Sequence, residues 1–284
     1  MSRSIRKLLK DRLKGYDKIV VWGSGSMARG ALKILPNNVL FAVDPMADGH
    51  MIGGKPVKSI NSLKNLGDSV FVVIATFAHK EAAVWLEGNT DIVNFGFFHD
   101  LIVDFSNPNS EVAKLRGDLA VAFTDNWFET FIRRPQLFVN ITFRLCAALK
   151  NNGSRLAQFT LYPMRLLHAF NCAFFGIDIP ISVQAGTGLQ FIHFGGIVLH
   201  EDVILGTLCK IYQSTTLGAD KTGKAPSLGN NVIIWSNAVV IGGCRLGDNC
   251  QVGANSVCLG NMDADNAVLV GAPARIMRFF ERHD

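Results

Sequence analysis

The strongest constraint on this chain is a six-residue rhythm in its last third. Positions 228, 234, 240, 246, 252 and 258 hold Leu, Ile, Val, Leu, Val and Cys. Four residues after each comes a small or modest side chain: Val232, Ala238, Cys244, Cys250, Ser256 and Met262. A turn former often follows the aliphatic, as at Gly229, Gly247 and Gly253. Such a repeat fits a short strand plus a sharp turn. Three units close one triangular coil, and stacked coils pile their aliphatics inside a prism. The same spacing runs upstream through positions 217, 211, 205, 199, 193, 187 and 181, held by Leu, Ile, Leu, Leu, His, Thr and Ile. On this phase His193 stands on an inward rung that the pattern reserves for an aliphatic. Eleven residues separate Leu217 from Leu228, so "GADKTGKAP" is expected to be extruded as a loop.

The first third reads differently. "KIVVWGSGSMARGALKIL" is strand, glycine turn and helix, and "NVLFAVD" is a second strand that ends at Asp44. Gly23, Ser24, Gly25 and Ser26 would bring backbone N–H groups to a phosphate at the helix N-terminus, and Asp44 would take a ribose hydroxyl. "SVFVVIAT" adds a buried strand, "HKEAAVWLE" a helix and "DIVNFGFF" a closing strand. The pattern predicts a small parallel sheet of Rossmann type over residues 1–105. Between the halves, "WFETFIRRPQLFVNITFRLCAALK" and "SRLAQFTLYPMRLLHAFNCAFFG" carry apolar residues at helical intervals, and "KNNGS" is a turn between them. Residues 106–176 are thus expected to be a helical connector, and residues 177–284 the prism.

Charge narrows the partners. The net charge of +5 is accounted for by residues 1–18, where seven Lys or Arg face two Asp. The rest of the chain is neutral by this count, and nucleic-acid binding usually needs a basic face on a folded domain, which argues against nucleic acid as a partner. Ile5, Leu8, Leu9 and Leu13 fall at helical spacing among those basic residues. That helix either docks on its own domain or lies on an anionic membrane surface. No apolar run is long enough for a spanning helix, and the N-terminus lacks a signal-type core, so a cytoplasmic protein is expected. The six cysteines form no CxxC pair, and the repeat over residues 181–262 offers only His193 and His200, so no metal site is expected.

"GIDIPISVQAGTGLQFIHFGGIVLHEDVILGTLCKIYQSTTLGADKTGKAPSLGNNVIIWSNAVVIGG" resembles the serine acetyltransferase branch of the hexapeptide-repeat acyltransferases, which includes acetyltransferases of polysaccharide gene clusters. "GAPARIM" is similar to that family's closing segment. The resemblance implies a left-handed parallel β-helix, a homotrimer, active sites between neighbouring prisms and acetyl-CoA as co-substrate. It places His193 on the family's catalytic histidine and Asp178 on the aspartate that supports it. Ala219, Ser236, Gln251 and Ala254 fall on coenzyme A-contacting positions, and Arg275 can meet a phosphate. The first half, with "GGKPVKSINSL", resembles the front domain of bacterial nucleotide-sugar acetyltransferases.

The chemistry agrees with that assignment. Acyl transfer from a thioester to an alcohol requires a base for the hydroxyl proton, and a neutral histidine suits the task. A carboxylate can orient the ring, and backbone N–H groups can stabilise the oxyanion. Two departures bear on the acceptor. The residue before the catalytic histidine, an aspartate that binds the amino acid in serine acetyltransferases, is Ile192 here. The loop's Arg-His-Pro reads Lys224-Ala225-Pro226, which leaves Lys224 as the substrate-binding cation and weakens a bidentate carboxylate grip. These departures, with the front domain, lead to an expected sugar or nucleotide-sugar acceptor, O-acetylated in surface-polysaccharide assembly. N-acetylation of an amino sugar, serine acetylation and a non-catalytic nucleotide-binding scaffold are the alternatives.

Overall fold

The computed structural model describes residues 9–46, 49–64, 66, 69–76, 79–92, 94–97, 110–122, 127–260 and 262–279. The chain divides into two compact units, one of residues 1–105, 119–132 and 282–284, the other of residues 106–118 and 133–281.

The first unit is built on a six-stranded sheet. Its strands are β1 (Lys18–Trp22), β2 (Val39–Val43), β3 (Met51–Ile52), β4 (Lys55–Lys58), β5 (Val70–Ile74) and β6 (Phe95–Phe97), in spatial order β3-β4-β2-β1-β5-β6. All neighbours pair in parallel except the β3–β4 hairpin. Helices α1 (Ser26–Ile34) and α2 (His79–Asn89) follow β1 and β5. The central strands are near-continuous apolar runs because both faces are covered; Val20, Val21, Val72 and Val73 are fully buried. Gly23 ends β1 at φ +124°, and a Cβ there would lie 2.6 Å from the Ala75 carbonyl oxygen, so the turn admits only glycine. At the basic N-terminus, Leu9 and Leu13 are buried against this unit; Ile5 and Leu8 lie outside the described residues.

The second unit is a parallel β-helix with helices at its N-terminal end. Its three faces are the sheets β7-β10-β13-β16-β19, β8-β11-β14-β17 and β9-β12-β15-β18-β20-β21. The strands are β7 (Ile177–Asp178), β8 (Gln184–Ala185), β9 (Gln190–Phe191), β10 (Ile197–Leu199), β11 (Ile204–Leu205), β12 (Lys210–Ile211), β13 (Thr216–Gly218), β14 (Ser227–Leu228), β15 (Ile233–Ile234), β16 (Val239–Ile241), β17 (Arg245–Leu246), β18 (Gln251–Val252), β19 (Val257–Leu259), β20 (Ala267–Gly271) and β21 (Ala274–Phe279). The expected rungs stack in register from Leu199 onward: Leu199 on Leu217 on Val240 on Cys258, and Ile211 on Ile234 on Val252. Residues 219–226 leave the coil as a loop between β13 and β14, as the phase break requires.

Upstream of Leu199 the phase differs from the expectation. The inward rungs are Ala185, which pairs with Leu205, and Phe191, which pairs with Ile211. Ile181, Thr187 and His193 are not rungs. Eight residues rather than six separate Phe191 from Leu199, and the two extra residues fall in segment 192–196. His193 therefore lies in a bulge at a prism corner, exposed, outside the aliphatic ladder.

The corners explain the turn formers. Asn231, Asn237, Asn249 and Asn255 all have φ between +55° and +60°. Asparagine tolerates this left-handed region better than most residues with a Cβ. Their amides also form ladders. Asn231 donates to Asn249 at 3.0 Å, Asn249 to Asn266 at 2.8 Å, and Asn237 to Asn255 at 3.1 Å.

Helices α3 (Glu111–Ala122), α4 (Trp127–Arg133), α5 (Leu137–Asn151) and α6 (Arg155–Phe175) fill the stretch read as a connector. Residues 133–176, including α5 and α6, belong to the same unit as the prism. Ser154 caps α6 by accepting from the Ala157 N–H at 3.1 Å.

Candidate active site

The bulge that carries His193 is held from two sides. The Gln136 amide, at the start of α5, donates to the Phe191 and Ile192 carbonyls at 3.1 and 3.0 Å, and Asn140 donates to the Leu189 carbonyl at 3.1 Å. After the bulge, the Gly195 N–H donates to the Phe175 carbonyl at 2.9 Å, and the Ile197 N–H to Gly176 at 3.0 Å. Gly176 ends α6 in the left-handed conformation, which turns the chain into the first coil. The helices thus fix both flanks of His193.

Behind these contacts lies a buried charge cluster. Arg144 on α5 is 1% exposed. Its Nε donates to Asp118 at 2.9 Å, its Nη1 to Glu111 at 2.9 Å and the Ala185 carbonyl at 2.8 Å, and its Nη2 to the Gly186 carbonyl at 2.6 Å. Asp118 also accepts from the Leu189 N–H at 2.9 Å. Burial alone would lower the Arg144 pKa; the two carboxylates outweigh it and raise it, so the cation is firmly held. This cluster sets the first coil, from which the His193 bulge springs. It joins residues too far apart in sequence for a local pattern to find.

Beneath His193 runs an aromatic edge. The Tyr212 ring meets the imidazole edge-on at 5.9 Å between centroids, and Tyr212 stacks on Trp235 at 4.6 Å. The Trp235 indole N–H donates to Gln251 Oε1 at 3.2 Å. Ser236 and Ala254 occupy the same corner on successive coils, next to Trp235 and Gly253. Three of the expected coenzyme positions, Ser236, Gln251 and Ala254, therefore fall on one edge with His193.

The other expected residues lie elsewhere. Ala219 and Lys224 belong to the loop at a different corner, where Asp220 accepts from the Thr222 N–H, the Thr222 hydroxyl and the Lys224 N–H. Arg275 is on β21, exposed, and donates to the Ala274 carbonyl at 3.1 Å. His200 sits at that same loop corner, with Asp202 at 3.7 Å. Asp178 pairs in register with Val198 and is exposed. Among the described residues no hydrogen bond or ion pair joins Asp178 to His193, so the expected carboxylate–imidazole pair is not formed. The bulge sets the imidazole at the corner, while Asp178 projects from the strand beyond it.

Sequence reading missed Arg134, Lys210 and Tyr212. Gln190, Lys210 and Ile233 pair in register on the outer side of one face, and Tyr212 lies two residues beyond Lys210. Arg134, two residues before Gln136, acts electrostatically on both Tyr212 and Lys210. Burial pushes the Lys210 ammonium down to about 8, and Arg134 pushes the same way.

In the first unit, Ser24 Oγ donates to Asp44 Oδ2 at 2.6 Å and the Met46 N–H to Asp44 Oδ1 at 2.9 Å. The carboxylate expected for a ribose is thus already engaged. Gly25 N-caps α1 without a side-chain bond; the Ser26 side chain lies outside the described residues. A cavity of about 760 Å³, lined by Lys10, Lys33 and Lys55 among others, lies at the opposite end of α1. Among the described residues no helix is long and apolar enough to cross a membrane.

Comparison with known proteins places the prism. The family described as bacterial transferase hexapeptide (six repeats) matches residues 225–260. The serine acetyltransferase of Synechococcus elongatus is 37% identical over 116 residues, covering 40% of this chain and 47% of that one. That of Helicobacter pylori is 31% identical over 153 residues, covering 53% of this chain and 85% of that one. The chain thus spans about half the length of some relatives and most of another. The crystal structure of serine acetyltransferase from Brucella abortus aligns with a TM-score of 0.50 at 21% identity, over 71% of this chain and 74% of that one, a likeness of fold. These relatives are named for acetyl transfer to serine, which overturns the expected sugar hydroxyl and its place in surface-polysaccharide assembly. The chain belongs to the serine acetyltransferase family of hexapeptide-repeat transferases.

Proposed function

We propose that this chain is an acetyl-CoA-dependent O-acetyltransferase that acts on the hydroxyl of serine, with His193 as general base. The observation that carries the reading is the bulge, which lifts His193 out of the aliphatic ladder onto the Tyr212–Trp235 edge. A histidine inside the ladder would be a packing residue. One at the corner, fixed on both flanks, can reach a substrate. The acceptor hydroxyl gives its proton to the imidazole as its oxygen attacks the acetyl carbonyl carbon. The carbon–sulfur bond then breaks, and the thiolate leaves with that proton. No residue needs to be acylated.

Ser236, Gln251 and Ala254 line the edge along which coenzyme A would run toward His193. Ala219 and Lys224 stand at another corner of the same prism. They would join the site from a second copy, in the trimer that the family resemblance implies. Asp178 would serve as orienter after a side-chain rotation toward the corner. The test is thiol release from acetyl-CoA with L-serine. Turnover that His193→Ala abolishes supports the reading, and no release at saturating L-serine overturns it.

For the first unit the reading is a Rossmann-like nucleotide site at Gly23, Ser24, Gly25 and Ser26, with Asp44 at the end of β2. Its support is the parallel order β4-β2-β1-β5-β6 and the uncapped start of α1. A ribose would have to displace the Ser24–Asp44 bond. Calorimetry of the full chain with UDP and ADP tests this, and absence of heat with both leaves that unit without a ligand role.

A further inference from the structure

Helix α6 is apolar on two opposite sides. One side carries Ala157, His168 and Phe175, all buried. There α5 covers it, and the Thr142 hydroxyl lies 2.9 Å from His168 Nδ1. The other side carries Leu156, Phe159, Tyr162, Leu166, Phe170 and Phe174, each between 64% and 78% exposed. At steps of three or four residues, these six side chains fall on one stripe along the helix. Its 21 residues, at 1.5 Å each, run about 30 Å. Single exposed apolar residues need no explanation, but an unbroken stripe of this length does. Phe170 stacks on Phe174 at 6.0 Å, Phe174 meets Phe175 at 5.0 Å, and Phe175 meets Phe194 at 5.8 Å. The aromatic surface thus continues to the bulge that carries His193.

Charge decides what can cover the stripe. Residues 130–177 contain no Asp or Glu, against Arg133, Arg134, Arg144, Lys150, Arg155 and Arg165. Arg144 is neutralised by Asp118 and Glu111. Arg155 and Arg165 are exposed on α6 itself, and Lys150 is exposed just before it. A second copy is a poor cover. A two-fold contact sets one patch against itself. Antiparallel pairing about the middle of α6 brings Arg165 toward Arg165, and in any register the two helices supply only cations. The boundary of an anionic bilayer fits better. Aromatic rings and leucines enter the edge of the acyl region, and guanidinium groups meet lipid phosphates. Among the described residues no helix is long and apolar enough to cross a membrane, so such contact stays at the surface.

We infer that α6 is an interfacial anchor, which lays the Leu156–Phe174 stripe into the surface of an anionic lipid bilayer with Arg155 and Arg165 on the headgroups. The ring contacts through Phe194 would then set the His193 bulge beside the lipid. The anchor does not depend on the acetyl-transfer reading.

The test is sedimentation of the full chain with vesicles of phosphatidylcholine, alone or with about a third phosphatidylglycerol. Wild type should bind the mixed vesicles at least about tenfold more tightly, and added salt should release it. Phe159→Ser combined with Phe170→Ser should lower that binding by at least about tenfold. Arg155→Gln combined with Arg165→Gln should lower it toward the phosphatidylcholine level, since each basic residue at an anionic surface is worth roughly fivefold. All four side chains are exposed, so thermal unfolding of both variants should match wild type and report correct folding. Wild type that sediments with neither vesicle, or equally with both, overturns the inference. Either variant binding as tightly as wild type does the same, and assigns the contact to residues 1–18. Light scattering without lipid is the last arm. Wild type larger than the serine variant by whole chains means that a second copy covers the stripe, which also overturns the anchor.

Discussion

The His193 imidazole meets the Tyr212 ring edge-on, with 5.9 Å between centroids, and Tyr212 in turn stacks on Trp235. Three coils thus contribute one side chain each to a continuous outer edge. The imidazole belongs to that edge and not to the aliphatic interior, where Phe191 and Leu199 are the neighbouring rungs.

Replacing His193 should therefore separate activity from stability. A histidine on a buried rung would destabilise the prism, and His193→Leu would then relieve the strain. At the corner it offers no such gain. His193→Leu and His193→Ala should each change unfolding free energy by less than about 1 kcal/mol. Both should lower kcat for acetyl transfer by about 10²–10⁴-fold, the range lost with a general base. Urea denaturation and thiol release read the two quantities. A stabilised His193→Leu protein would place the imidazole back inside the ladder.

The asparagine corners carry stability. Asn249 combines φ +59° with two ladder bonds, accepting from Asn231 and donating to Asn266. Asn249→Ala loses both bonds and places a poorly suited residue in the left-handed region, an expected cost of about 2–3 kcal/mol. Asn249→Gly keeps the backbone freedom and should cost less than alanine. The order of the two urea midpoints checks this.

Arg144 is the next test. Its guanidinium satisfies Asp118, Glu111 and two carbonyls of the first coil. Arg144→Met leaves the fully buried Asp118 carboxyl, which burial already pushes toward protonation, without its cation, and should cost about 3–5 kcal/mol. Asp118→Leu added to Arg144→Met removes the stranded carboxyl and should recover part of that loss. Chemical denaturation of the single and double variants measures the coupling.

From Leu199 onward the prism was legible because each rung there has one aliphatic candidate. Upstream, two phases compete. Ile181, Thr187 and His193 keep the spacing, while Ile179, Ala185 and Phe191 fill the interior. Only the insertion within 192–196 decides between them, and its flanks are set by α5 and α6, which hexad spacing does not report. Asp178 and Lys224 were found by resemblance, yet neither meets His193 within the chain. Arg134, Lys210 and the Arg144 cluster left no signal. Their partners are distant in sequence, and a lone Arg or Lys on a helix end or strand has a solvated role by default. The acceptor was misread from Ile192, the Lys224-Ala225-Pro226 loop and the front domain, positions whose neighbours in space the sequence does not report.

Lys210 should make stability depend on pH. Its pKa falls from 10.5 when exposed to about 8 in the fold, with burial as the main cause and Arg134 second. Between those values the unfolded chain binds more protons than the folded one, so stability rises with pH across that window. The cost of the buried charge is fully present below about pH 8 and gone above the unfolded value. Lys210→Met should therefore be more stable than wild type at pH 7, by on the order of 2–3 kcal/mol, with the gain vanishing toward pH 10.5. Denaturation curves across pH 6.5–10.5 measure this, and a pH-independent stability difference would mean that the Lys210 charge is not what the fold pays for.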